Sequence, residues 1–276
     1  MVQGYSNINS VQLHEKILLQ VGWLSCSYEL ENWKGNHVAD KTKIAWTEHT
    51  WNPWRGCRQV SAGCAHCYAK HMLEKRYSQF GFKPTLCKST WDNPARWNRK
   101  AARSDQRPMV FVCSWSDFFI EEADDDWRQR AWQIIRDCRN LTFQILTKRP
   151  ERIMQCLPEN WGSGYSNVWL GVSCESAQYT GRIDLLRDVP ARVRFVSYEP
   201  ALGPLGPINL EGIHWLIAGG ESGPNFRPDN DDWYREIRDH CEQCDVAFFF
   251  KQHAGSRQGT LPTLDGEVIQ QYPQLT

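Results

Sequence analysis

The run 168-VWLGVSC-174 is nearly continuous in apolar residues, with polar residues only at its end. Such a run is typical of a strand that is covered on both faces of a parallel sheet. Comparable runs recur along the chain as 43-KIAWTEHTW-51, 109-MVFVCSW-115, 141-LTFQILTK-148, 193-VRFVSYEP-200, 213-IHWLIAGGE-221 and 246-VAFFFKQH-253. We therefore expect a sheet of seven strands.

Helical patterns separate several of these runs. The segments 124-DDDWRQRAWQIIRDC-138 and 229-DNDDWYREIRDHCEQC-244 both begin with acidic residues, which suit the first turn of a helix. Strands that alternate with helices predict an α/β fold, either a wound parallel sheet or a barrel.

The chain divides into three predicted parts. Residues 1–42 form an N-terminal extension whose segment SVQLHEKILLQVGWL has the pattern of an amphipathic helix and is expected to cap the domain. Residues 43–255 form the βα domain, and residues 256–276 are expected to be an irregular C-terminal tail.

Composition limits the class of protein. The chain has 276 residues and zero formal net charge, so no global field draws it to nucleic acid. No stretch approaches the roughly 18 apolar residues of a membrane span. The first residues, MVQGYSNINS, lack the basic and apolar regions of a signal peptide. Eleven cysteines in such a chain indicate reduced thiols, and we expect a cytoplasmic protein with no membrane partner.

Polar residues follow the apolar runs. In a βα barrel the site is built at the carboxyl ends of the strands, so these side chains are expected to meet at one mouth. The alternative is that each polar pair merely opens a loop or caps the next helix. The residues are Ser114, Ser116, Asp117, Thr147, Lys148, Arg149, Ser173, Glu175, Ser197, Tyr198, Glu199, Glu221, Ser222, Lys251 and Gln252.

Three cysteines lie close together in the segment 51-WNPWRGCRQVSAGCAHCYAKH-71, namely Cys57, Cys64 and Cys67. Three thiolates hold an iron–sulfur cluster and leave one iron free for another ligand. A zinc site is the alternative, with His66, His71 or Cys87 as the fourth ligand. The more distant pair Cys241 and Cys244 is interpreted as packing thiols.

The combination of 51-WNPWRGC-57, 60-VSAGCAHCYA-69, 146-LTKRPER-152 and 219-GGESG-223 resembles a phage- and bacteria-encoded branch of the radical S-adenosylmethionine superfamily. The nearest relatives by resemblance are phage isomerases of thymidine hypermodification, and the spore photoproduct lyase is more distant. The spacing C-x6-C-x2-C departs from the superfamily's usual C-x3-C-x2-C. The resemblance implies a partial (β/α) barrel of the radical S-adenosylmethionine type.

The resemblance also implies roles for individual residues. Cys57, Cys64 and Cys67 would hold a [4Fe–4S] cluster that binds S-adenosylmethionine and yields a 5′-deoxyadenosyl radical. The remaining implied cofactor contacts are His66 and Tyr68 at the adenine, Ser116 and Asp117 at the amino group, and Lys148, Ser173 and Glu175 at the carboxylate or ribose. Catalytic candidates are Glu199, Glu221 and Lys251. Arg149, beside Pro150, is expected only to begin the next helix, and Gly219 and Gly220 to make a left-handed turn.

The implied substrate is a modified thymidine in phage DNA, on which the enzyme would move an amino-acid substituent. One alternative is a lyase that repairs thymine lesions; the other is a zinc-stabilised nucleic-acid-binding protein without catalysis. The implied partners are DNA or a modified nucleoside and an electron donor resembling flavodoxin or ferredoxin, in the host cytoplasm if a phage encodes the protein. The nucleic-acid candidates are Arg96, Trp97, Arg99, Lys100 and Arg103, for which a solvated helix face is the alternative.

Overall fold

The structure is a computed structural model that describes residues 41–76, 83–256 and 261–274. The predicted N-terminal helix and almost all of the predicted extension 1–42 lie outside the described residues. Residues Lys41–Thr276 make up one compact unit. Within the described ranges, no helix combines the length and the apolar character that crossing a membrane requires.

The centre of the fold is a curled sheet of seven parallel strands that forms a half-barrel. The described residues contain nine strands in all, seven in this sheet and two outside it. They are β1 (His49–Trp51), β2 (Trp54–Arg55), β3 (Thr85–Leu86), β4 (Met109–Val112), β5 (Thr142–Thr147), β6 (Val168–Ser173), β7 (Val193–Tyr198), β8 (Trp215–Gly219) and β9 (Ala247–Gln252). The order in the large sheet is β1-β4-β5-β6-β7-β8-β9, so neighbouring strands of this sheet follow one another in the chain, apart from β2 and β3 between the first two. β2 and β3 form a separate antiparallel pair. The predicted α/β class and strand runs are confirmed, although only the last three residues of 43–51 form a strand.

Helices connect many of the strands, and most of them pack on the outer face of the sheet. They are α1 (Tyr68–Arg76), α2 (Asn93–Ala101), α3 (Asp125–Asp137), α4 (Ile153–Cys156), α5 (Gly181–Arg187) and α6 (Asp231–Gln243). The two predicted helices correspond to α3 and α6. Each begins after a capping side chain, because Asp124 accepts a hydrogen bond from Asp126 N and Asn230 accepts one from Asp232 N.

Alternate residues of each strand point to opposite faces of the sheet, and both faces are apolar. On the outer face, residues such as Leu170 and Val172 of β6 join the buried side chains of α3, α5 and α6 in the larger core cluster. The inner face has its own cluster, which consists of Trp46, Phe111, Trp169, Val193, Phe195, Trp215, Ile217 and Phe249. The interior of the half-barrel is therefore packed with large side chains rather than open.

Residues 261–274 of the tail contain no helix or strand, and they lie along β9. Phe250 N donates to Ile269 O at 2.8 Å, and Gln271 N donates to Phe248 O at 3.0 Å. The Trp215 indole also donates to Gln271 O at 2.9 Å. The tail thus covers the backbone groups of an edge strand that would otherwise be unpaired.

We expect Gly171→Ala to lower the free energy of unfolding by about 1–3 kcal/mol, because an added methyl group overpacks the inner cluster. A Cβ atom at Gly171 would lie 2.4–2.6 Å from the ring of Phe195. Urea unfolding followed by tryptophan fluorescence measures the change. Gly181→Ala is the matched control, because its Cβ atom would meet nothing within 4 Å. Equal effects of the two substitutions would contradict this account of the core.

Candidate functional site

The three cysteines lie on a loop that follows β2 and is fixed at its start to the end of β4. Gly56 N donates to Trp115 O at 2.9 Å, and Ser116 Oγ donates to Gly56 O at 2.6 Å. Gly56 has a φ angle of +96°, a backbone conformation that residues with a side chain rarely adopt. The segment that leads into Cys57 is therefore fixed by residues at the carboxyl end of β4.

The carboxylate of Asp117 is almost completely buried and organises the end of β5. It accepts hydrogen bonds from Phe119 N, Thr147 Oγ1, Lys148 N and Arg149 Nη1 at 2.8–3.1 Å. A carboxylate offers about four lone-pair sites, and these donors occupy them. The predicted contact of Asp117 with a cofactor amino group therefore lacks a free acceptor, and Asp117 instead holds the surrounding backbone.

Arg149 connects this carboxylate to the first cysteine. Its Nη1 atom lies 3.6 Å from Cys57 Sγ, and its Nη2 atom donates to Arg58 O at 2.7 Å. Burial and the charge of Asp117 raise the pKa of the Cys57 thiol to about 11, although Arg149 opposes the shift. The expectation that Arg149 only begins a helix is wrong, because its guanidinium is buried against the cysteine loop.

The middle of the loop is held by Glu175, which follows β6 and is completely buried. Ser61 Oγ donates to its Oε1 atom at 2.6 Å, Arg182 donates to its Oε2 atom at 2.9 Å, and Lys148 Nζ lies 3.6 Å away. Gly63 lies so close that a Cβ atom there would be 2.4 Å from Oε1. Glu175 thus fixes the loop, and it is not among the cavity-lining residues, contrary to its predicted cofactor contact.

The far side of the loop is attached to the end of β8 through Glu221. Its carboxylate accepts hydrogen bonds from the backbone and guanidinium of Arg227 and lies 3.0 Å from His66 Nδ1. Arg227 Nη1 also donates to Ala62 O at 3.1 Å. Burial raises the pKa of Glu221, but the hydrogen bonds from Arg227 and His66 outweigh burial and hold that pKa below its usual value. Glu221 is therefore an ionised anchor for the loop and its histidine.

The strand ends and the loop enclose one cavity of about 490 Å³, which lies within the size range of small-molecule sites. This confirms that the polar strand ends converge. The predicted site residues that line the cavity are Cys57, Cys64, Cys67, His66, Tyr68, Ser116, Asp117, Lys148, Ser173, Glu199, Glu221 and Lys251. The buried thiol of Cys113, at the end of β4, also lines it and was not predicted.

Tyr68 stands at the rim of the cavity. The residue as a whole is 47% exposed, whereas its hydroxyl donates to Ser114 O at 2.7 Å. Burial raises the pKa of this hydroxyl, and the nearby Cys67 and Glu199 add to the shift. The hydrogen bond to Ser114 therefore fixes the orientation of the ring beside the cavity.

Of the three candidates for a fourth zinc ligand, His66 lines the cavity beside the cysteines, whereas Cys87 and His71 lie elsewhere. Cys87 is buried and hydrogen-bonded by Arg55, and neither Cys87 nor His71 lines the cavity. In the ranges that the structure describes, no group of three or more His, Cys, Asp or Glu side chains has the arrangement of a metal site, and this includes the three loop cysteines as their side chains stand. Of the second cysteine pair, Cys241 is buried, as a packing thiol should be, and Cys244 is exposed.

The nucleic-acid candidates are placed away from the cavity. Trp97 is 4% exposed and stacks on His49 with ring centroids 4.3 Å apart, so it is a core residue with no free face for a base. Asn98, on α2, accepts a hydrogen bond from Asn140 N, immediately before β5 begins. The last turn of α2 therefore lies at the strands' opposite ends. Arg96, Arg99, Lys100 and Arg103 are exposed but do not line the cavity.

Gly219 ends β8 and Gly220 follows it. Both positions need glycine because neighbouring atoms leave too little space for a Cβ atom, and not because the backbone makes a left-handed turn. Neither Gly219 nor Gly220 has a positive φ. A Cβ atom at Gly220 would lie 2.1 Å from Ala254 N, and one at Gly219 would lie 3.2 Å from Glu199 Cγ. The predicted reason for these glycines is wrong, and close packing of neighbouring strand ends replaces it.

The sequence profile of a family described as "Protein of unknown function (DUF5131)" matches residues 41–273 of the chain. The match spans the whole half-barrel and the cysteine loop. No curated protein and no solved structure matches the chain.

We expect Glu175→Ala to lower the free energy of unfolding by about 3–5 kcal/mol, because it leaves the buried charge of Arg182 uncompensated. Glu175→Gln keeps acceptor oxygen for Ser61 and should cost less. Glu122→Ala removes an exposed pair with Arg58 and should cost less than about 1 kcal/mol. Chemical denaturation measures all three variants. Comparable stability of Glu175→Ala and Glu122→Ala would show that Glu175 does not hold the loop.

Proposed function

We propose that this chain, which belongs to the DUF5131 family, is a radical S-adenosylmethionine enzyme. One observation carries the proposal: Cys57, Cys64 and Cys67 open into the cavity at the carboxyl ends of the parallel strands. In βα barrels the reaction takes place at that end. The resemblance of the cysteine loop to that superfamily supplies the chemistry, and the geometry is consistent with it.

The donor set suits a [4Fe–4S] cluster. Cluster irons favour cysteine sulfur, and the three thiols line the same cavity. When bound, the cluster and S-adenosylmethionine supply a 5′-deoxyadenosyl radical that abstracts hydrogen from a substrate. Ligation needs the thiolate form of Cys57, and Arg149, 3.6 Å from its Sγ atom, partly offsets the burial and the Asp117 charge that raise the pKa of this thiol.

The chain's own residues would hold the cofactor around this loop. Ser116 Oγ donates to Gly56 O and keeps lone pairs that can accept from the cofactor's amino group. Lys148 and Ser173 line the cavity beside the loop, where they can bind the carboxylate or ribose. Tyr68 and His66 both line the cavity, where their rings can provide surfaces for the adenine. Asp117 and Glu175 position these residues without touching the ligand.

We propose a modified thymidine as the substrate, with isomerisation of an amino-acid substituent as the reaction. The cavity offers an apolar surface to a pyrimidine ring, formed by Ile44, Trp46, Phe111 and Leu146. The exposed basic residues of α2 do not extend this cavity, so a nucleoside or a strand end fits the geometry better than a duplex lying across α2.

We expect anaerobic reconstitution to give a brown protein with about four irons per chain. Cys57→Ala, Cys64→Ala and Cys67→Ala should each lose most of that iron and the absorbance that dithionite bleaches. Cys244→Ala, an exposed cysteine outside the cavity, should keep both. Iron and sulfide analysis measures the loss. Stoichiometric zinc in a protein that stays colourless after reconstitution would exclude this function and favour a zinc-stabilised protein.

We expect the reconstituted enzyme to convert a modified thymidine when S-adenosylmethionine and dithionite are present. Mass spectrometry of digested DNA and of free modified nucleosides would identify the product. An isomer of unchanged mass indicates isomerisation, whereas cleavage of a thymine photoproduct indicates the lyase. The Cys64→Ala variant is the control, and an unchanged product yield with this variant would rule out cluster-dependent catalysis.

A further inference from the structure

An ion pair, Glu199 with Lys251, faces the cavity across the end of β8. Glu199 follows β7, and Lys251 lies in β9, so β8 stands between their strands. Their side chains meet across the end of β8, where Gly219 has no side chain. A Cβ atom at Gly219 would lie 3.3 Å from Glu199 Oε1. The glycine therefore allows two residues from non-adjacent strands to pair.

The backbone of β9 is irregular at the lysine. Ala218 is paired in register with Phe250, and Gly219 with Gln252, so Lys251 is the extra residue of a bulge. Bulges re-aim side chains and are frequent beside active sites. Here the bulge coincides with the one lysine of β9, and that lysine lines the cavity.

The pair has unused hydrogen-bonding capacity. An ammonium has three donors and a carboxylate has two acceptor oxygens. Among the described residues, the only hydrogen bond of either charged group joins Lys251 Nζ to Glu199 Oε1. The side chains are 13% and 16% exposed, so the spare donors and the second oxygen are partly desolvated but accessible from the cavity. Such a pair adds little to stability and is suited to binding a ligand.

The charges of Lys251 and Glu199 determine which charged groups a ligand must carry to bind the pair. A lone anion such as phosphate would be attracted by Lys251 and repelled by Glu199 at nearly the same distance. A lone cation would be attracted by Glu199 and repelled by Lys251. A ligand group with a carboxylate beside an ammonium satisfies both residues, because its carboxylate accepts from Lys251 while its ammonium donates to Glu199.

We infer that the Glu199–Lys251 pair is a recognition site for an α-amino-acid group, carried by a ligand whose body lies on the apolar part of the cavity. The inference rests on the proposed function, because only that function gives the pair a role in catalysis. For the proposed enzyme, it specifies a class of substrate that carries an amino-acid group. Two ligands of the proposed reaction carry this group: S-adenosylmethionine in its methionyl part, and a substrate with an amino-acid substituent. Both present the same charges to the pair.

Two binding measurements separate these sources, each by isothermal titration with and without iron–sulfide reconstitution. The first compares S-adenosylmethionine with 5′-methylthioadenosine, which lacks the amino-acid group. The second compares L-phenylalanine with 2-phenylethylamine and 3-phenylpropanoate, each of which lacks one charge, at saturating S-adenosylmethionine. In the arm that contains the true source, the zwitterion should bind at least about 30-fold more tightly than its analogues.

Lys251→Met and Glu199→Gln should abolish that preference, while Lys251→Arg should retain it. Lys70→Met is the matched control, because it breaks an exposed lysine–glutamate pair outside the cavity. Circular dichroism melting checks that each variant folds, and the preserved binding of Lys251→Arg shows that the charge matters. A preference in the first arm assigns the pair to the cofactor, and one in the second arm assigns it to the substrate.

Equal binding of zwitterions and analogues in both arms, or no binding in either, would overturn the inference. Failure of the proposed function has a different signature. If the protein takes up no iron but still prefers the zwitterion, the result supports the amino-acid recognition site and contradicts the proposed radical chemistry. A protein that binds a cluster without the preference keeps the chemistry and loses this site.

Discussion

Side chains alternate between the two faces of the sheet along each parallel strand. This alternation determines where both the core and the candidate site of this protein lie. Inward positions near the start of the strands carry large apolar residues, such as Phe111, Phe195 and Phe249. The last inward positions of the same strands and their extensions carry Cys113, Lys148, Ser173, Ser197 and Lys251, all of which line the cavity. A slip of one residue in any strand would exchange these side chains with outward ones. The packing that fixes the register therefore also fixes the chemical groups at the mouth.

The cysteine loop has little regular structure of its own and depends on three buried carboxylates. Asp117, Glu175 and Glu221 follow different strands, and each binds a different part of the loop or its supports. Each is paired with an arginine, so no carboxylate is buried without a positive charge. This arrangement holds the thiols in place through side chains on rigid strand ends, as preorganised sites require. Asp117 and Glu175, expected to contact the cofactor, and Glu221, expected to be a catalytic candidate, thus act as structural supports of the loop.

The sequence predicts the strands and helices well because the hydrophobic effect leaves a local pattern, as in the run 168–174. It also predicts that the cysteines lie at the strand ends. It does not predict that Arg149 reaches Cys57 or that Arg227 reaches Ala62, since the choice of a distant partner leaves no local signal. The 146-LTKRPER-152 motif marks Arg149 only as a member of a polar strand end. Trp97 shows the opposite error, because a tryptophan among arginines resembles a stacking ring although packing against His49 buries it.

The anchors of the cysteine loop come from much later in the chain. Ser61 is held by a residue 114 positions downstream, and Ala62 by one 165 positions downstream. During synthesis the three thiols therefore leave the ribosome long before β6 and β8 exist to hold them. Contacts of such sequence separation form late in folding because closing long loops costs entropy. Under the proposed function, delivery of a cluster would therefore follow translation and take place on a finished half-barrel, so the supply of clusters could be timed independently of the supply of chains.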